Sequence, residues 1–145
     1  MNIDDIHVEW EKDTDMNPSN LTEEARKIPK LHAKYYRYYT YEHSVQRKME
    51  ADLKRLKVLR TEWHDGSMAE EDLKEYGWEP NLKRTPKGYQ KDLLEADSFI
   101  IKMKLKIGDA TEKVDLLENI IKSINNRGFL ITNMINFEKF RTGAI

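Results

Sequence analysis

The chain has 145 residues, no cysteine, and 26 acidic against 25 basic residues, for a formal net charge of −1. Without cysteine there are no disulfides and no thiolate chemistry, and an intracellular setting is the natural expectation. No apolar run is long enough to cross a membrane, and the N-terminus lacks the basic and apolar regions of a signal peptide, so neither is expected. The length suits one domain, and the scarcity of glycine (6) and proline (4) suits helices. The near-zero total hides segregation. Residues 1–24 hold eight acids against Lys12, residues 25–60 hold eleven bases against three acids, and residues 61–80 hold seven acids against Lys74. A basic block between acidic flanks points to an anionic partner for the block.

Residues 1–18 are polar and acidic, with Ile3, Ile6, Val8, Trp10 and Met16 as the large apolar residues. They read as a mobile tail, with Trp10 as a docking anchor. Asn20 followed by Glu23 resembles a capping box and opens a helix that Pro29 is expected to break, or to restart as a first-turn residue. Lys30 to His64 is the first long helix. Leu31, Tyr38, Val45 and Leu59 fall on one heptad series, and Tyr35, Met49, Leu56 and Trp63 on the other. Gly66 ends it in a left-handed cap. Residues 67–85 form a connection with one short turn around Leu73, Tyr76 and Trp78, and Thr85-Pro86 leads into the next helix.

From Lys91 to Asn126 the heptads are unbroken. Leu93, Ile100, Ile107, Val114 and Ile121 form one series, and Ala96, Met103, Ala110, Leu117 and Ile124 the other. A seam of that length predicts a helix that packs lengthwise against others, some from its own chain and some from other subunits, with a purely internal helical bundle as the alternative. Arg127-Gly128-Phe129 reads as a hinge or cap before a short helix that is apolar on most sides. The expected fold is all-α: two long helices in an antiparallel hairpin plus a short C-terminal helix, in one domain. Within it, residues 19–66 are the basic helical region, 67–85 the connection and 86–145 the oligomerisation helices. The residues expected at subunit contacts are Ile100, Met103, Ile107, Val114, Leu117, Ile121, Ile124, Phe129, Ile131, Ile135 and Phe140.

No catalytic constellation stands out. The four histidines are scattered without ligand spacing, and there is no Gly-Lys-Ser/Thr phosphate loop, so no enzyme, metal or cofactor is expected. The basic block with five tyrosines between Tyr35 and Tyr41 favours nucleic acid: cations for phosphates, rings for bases. Lys34 and Arg37 lie at its start, and Lys54, Arg55, Lys57 and Arg60 at its end. A coiled-coil scaffold that neutralises the block with its own acids, or a duplex-binding regulator, remains an alternative reading.

In spacing and layout the chain from about residue 20 resembles the UvsY family, the recombination mediators of T-even-like bacteriophages. The resemblance is carried by Ile124 to Gly143, with Arg127-Gly128-Phe129, the apolar helix, Phe140 and Gly143, and by the helix ending at Trp63 and Gly66. It implies a non-enzymatic protein in the cytoplasm of an infected bacterial host, forming a ring-like homo-oligomer of six or seven subunits. It further implies binding to single-stranded DNA, and help for the phage recombinase to load onto DNA covered by the phage single-stranded-DNA-binding protein. The family's DNA-binding pair is a lysine and an arginine two residues apart. The arginine matches Arg60, but Val58 holds the lysine's place. The resemblance therefore implies a charge redistributed over Lys54, Lys57 and Arg60, with Arg55 on the flank.

Overall fold

A computed structural model describes residues 1–83 and 85–143; Arg84 of the connection and the last two residues of the C-terminal region lie outside the described residues. The elements are α1 (Ile3–Asp13), α2 (Leu21–Asp65), α3 (Glu70–Tyr76), a 3₁₀ turn (Lys87–Tyr89), α4 (Gln90–Glu95) and α5 (Ser98–Arg141). The protein is all-α, with no strand among the described residues. It divides into two compact units, Met1–Ser44 with Ala110–Ile145, and Val45–Asp109. Both α2 and α5 run through the division.

The first unit overturns the mobile tail. Asn2 and Asp5 form a reciprocal capping box, each side chain accepting the other's backbone N–H at 2.8 and 3.0 Å. The box nucleates α1, a helix that buries Ile6 completely and sets Trp10 edge-on to Tyr35. Ile6, Tyr35, Leu117, Ile120 and Ile124 make the core here, with Trp10, Ile28, Leu31 and Ile121 packed around it. The acids that made the tail look disordered lie along a helix whose apolar positions sit in a core.

Pro29 does not break α2. Its missing N–H costs one backbone bond, about 3 kcal/mol in an exposed helix interior. Ile28 and Leu31, on either side, pack against the core, and that packing holds the helix through it. At the other end Gly66 has φ 80°, the left-handed cap expected of it.

The helix differs from the seam of 91–126 at both ends. Its first residues belong to α4, and α5 begins at Ser98 because Asp97 caps it, accepting the N–H groups of Phe99 and Ile100 at 3.0 and 3.2 Å. At the other end Gly128 is no hinge; α5 continues to Arg141. Ile100, Val114, Leu117, Ile124 and Ile131, expected between subunits, are buried within the chain itself, and Met103, Ile107 and Ile121 are half-buried. The heptad pattern is that of a helix seated on its own unit's core. Phe129, Ile135 and Phe140 remain exposed.

Candidate nucleic-acid interface

The basic block lies along α2, a helix of 45 residues that carries cations in both units. In the first unit Arg37 is exposed and free of carboxylates among the described residues. Lys34 is not free. Its ammonium lies 2.7 Å from Asp13 Oδ2 and 3.5 Å from Glu9, both on α1. Tyr35 donates its hydroxyl to the same Asp13 oxygen at 2.7 Å. Burial pushes the Asp13 carboxyl up, but the bonds from Lys34 and Tyr35 outweigh it and hold it below the usual value. Burial likewise works against the Lys34 charge, and the Asp13 partnership more than restores it. Lys34 therefore ties α1 to α2 and is no free phosphate contact.

In the second unit Lys54, Arg55 and Lys57 are exposed near the end of α2. None of them pairs with Glu70, Glu71 or Asp72, or with any other described carboxylate. Lys54 and Lys57 share one side of the helix by their three-residue spacing. Arg55 points elsewhere, lining a small groove with Leu56, Leu59, Tyr76 and Met103.

Arg60 stands apart, and its expected role is corrected. It is 5% exposed. Its Nε donates to Asp97 Oδ2 at 2.8 Å, and its guanidinium lies 4.3–4.6 Å from the ring centres of Trp63, Trp78 and Phe99. His64 Nε2 is 2.8 Å from the same Asp97 oxygen. Burial raises the Asp97 carboxyl, and the bonds from His64 and Arg60, with the α5 amide of Ile100, bring it below the ordinary value. A guanidinium walled in by three aromatic rings and a carboxylate cannot reach a DNA backbone. In sequence Arg60 looks like the last cation of an exposed block; three of the four groups that enclose it come from positions 78, 97 and 99, far along the chain.

Two features escaped the sequence reading. His32, Tyr36, Tyr39 and His43 form a run of neighbouring rings along α2, with successive centres 5.7, 6.0 and 5.6 Å apart; the outer two pairs are stacked and the Tyr36–Tyr39 pair is tilted. Their spacing of four, three and four residues is the signal that was available. Arg127, read as part of a hinge, is buried and donates to the Thr14 carbonyl, with its guanidinium 5.8 Å from the Trp10 ring centre. No group of His, Asp or Glu among the described residues is arranged to hold a metal, and no helix there is long and apolar enough to cross a membrane.

Comparison with solved structures supports the same fold. Crystal structures of the bacteriophage T4 recombination mediator protein UvsY superpose with TM-scores of 0.83 in two lattice types, at 22% and 21% identity, covering 98% and 97% of this chain and 98% and 99% of that one. A third lattice type gives 0.81 at 21% identity, covering 94% and 98%. A search of curated proteins found no significant match. Residues 9–144 match the family described as "Recombination, repair and ssDNA binding protein UvsY". That match takes in nearly the whole chain, and the chain belongs to the UvsY family.

Proposed function

We propose that this protein is a recombination mediator that binds single-stranded DNA and helps a phage recombinase load onto strands covered by single-stranded-DNA-binding protein. It works without catalysis, in the cytoplasm of the infected bacterial host. The observation that carries the reading is the exposed, unpaired set Lys54, Arg55 and Lys57 in a chain of this family. Arg37 adds a further free cation. Phosphate contacts of this kind are sequence-blind and salt-sensitive, which suits a protein that must accept any strand.

A few cations per subunit make a weak site. Repetition in a homo-oligomer of six or seven copies raises the effective concentration and makes binding strong. The surface that supports assembly is the end of α5. Phe129 is 75% and Phe140 72% exposed, with Leu130, Ile135 and Phe137 also open. At 3.6 residues per turn, Leu130, Phe137 and Phe140 fall within about 100° of Phe129, so they form one apolar stripe. A stripe of this kind on a single chain is a surface for another copy. The hairpin of α2 and α5 is proposed as antiparallel. It is supported in the first unit by the contacts of Tyr39 with Glu118 and of Glu42 with Lys113, whose numbers run in opposite directions.

The test is a titration of a labelled single-stranded oligonucleotide at low and high salt, with duplex as competitor and the mass in solution measured alongside. Salt-sensitive binding by an oligomer, resistant to duplex, is expected. A monomer that ignores the oligonucleotide at low salt removes the reading.

A further inference from the structure

Beyond the cations on α2, the second unit holds a pocket of about 500 Å³ at the C-terminal end of that helix, lined by Trp63, Lys83, Thr85, Pro86, Tyr89 and Asp92 among others. Its frame is fixed. Trp63 donates its indole N–H to the Glu79 carbonyl at 2.7 Å. The Asn81 amide and the Thr85 N–H both donate to the His64 carbonyl, at 3.1 and 3.3 Å. The connection thus satisfies a carbonyl that the last turn of a helix leaves without an internal partner. These bonds tie Glu79, Asn81 and Thr85 to the helix end and leave a hollow beside them.

The chemistry of the lining is uneven. The walls are apolar and aromatic. Tyr89 stands at the rim, 63% exposed, and its ring stacks on no other ring among the described residues. Lys83 is exposed and has no carboxylate partner among them. Asp92 supplies an acceptor. A flat ring beside an apolar hollow, with one cation and one acceptor at its edge, suits a planar heterocycle that carries polar edges and is joined to an anionic backbone.

We propose that this pocket receives an unstacked base of single-stranded DNA, with the Tyr89 ring as the stacking face and the Lys83 ammonium against a neighbouring phosphate. The proposal rests on the reading of the chain as a single-strand binder and adds to it a site for bases, which exposed cations alone do not provide. Bases in a duplex are stacked and paired and cannot enter, so the pocket gives preference for single strands. Stacking tolerates every base, so it gives no sequence preference.

The test uses the full-length protein with two labelled oligonucleotides of equal length: oligo(dT), and an abasic strand with the same phosphates. Trp63 is left intact because its ring covers Arg60. Tyr89→Ala is expected to bind oligo(dT) about 5-fold or more weaker, the lower end of what one lost base stack costs. Its affinity for the abasic strand stays that of the wild type, and Tyr89→Phe recovers binding to oligo(dT). Lys83→Ala weakens both strands and lowers the salt dependence of each. Equal binding of oligo(dT) by wild type and Tyr89→Ala overturns the pocket and leaves the mediator reading standing. Equal loss on both strands also overturns it, because Tyr89 then acts through the fold or the phosphates. A wild type that binds neither strand at low salt ends both.

Discussion

Arg60 shows how much one residue's meaning depends on what surrounds it. As a basic side chain near the end of a basic helix it reads as a DNA contact; in the fold it is the buried partner of Asp97. Removing one member of a buried ion pair leaves the other charge uncompensated and costs about 3–5 kcal/mol. Arg60→Ala is therefore expected to lower the denaturant midpoint steeply, while Lys54→Ala and Lys57→Ala leave it within about 0.5 kcal/mol and instead weaken oligonucleotide binding. Chemical denaturation of the three variants separates the roles. Asp97 adds a pH dependence. Its carboxyl is depressed in the folded state, so its contribution is fully present above the unfolded value near 3.9 and is lost as pH falls through the lower folded value. Asp97→Asn is expected to reduce the acid sensitivity of the urea midpoint below about pH 4. Asp13, depressed in the same direction, leaves a residual slope.

At the scale of elements, helix type and the left-handed stop at Gly66 were legible in periodicity and glycine, whereas helix ends were not. Pro29 and Gly128 carry the local signals of a break, and both lie inside long helices. Asp97 carries the signal of a start, but the heptads running through Leu93 and Ala96 masked it. The N-terminal capping box uses Asn2 and Asp5 in place of the commoner Ser/Thr and Glu, and the acidic composition around it suggested disorder. In the candidate site, the free cations Lys54, Arg55 and Lys57 were legible as charge; the enclosure of Arg60 and the engagement of Lys34 depend on residues far along the chain. A Cβ added at Gly128 meets nothing within 4 Å. Gly128→Ala is therefore expected to stabilise α5 by about 1 kcal/mol, seen as a higher thermal midpoint by circular dichroism.

For the whole molecule, α5 carries a buried side and an open stripe, and substitutions on the two should fail differently. Phe129→Asp with Phe140→Asp, on the open stripe, is expected to lower the mass in sedimentation while helicity is kept. Val114→Asp places a charge at a position buried within the chain and is expected to unfold the subunit instead. The three tryptophans offer a way to watch the two units separately. Trp10 belongs to the first unit, and Trp63 and Trp78 to the second, where a guanidinium lies close to both indoles. With excitation that spares tyrosine, tryptophan emission from a Trp10→Phe chain would therefore come only from the second unit, and from a Trp63→Phe, Trp78→Phe chain only from the first. Because α2 and α5 are each continuous across the division, a break in one unit frays helices shared with the other. Denaturation curves read from the two emitters are expected to coincide once each is compared with helix loss in its own variant, making the two compact units one cooperative folding unit.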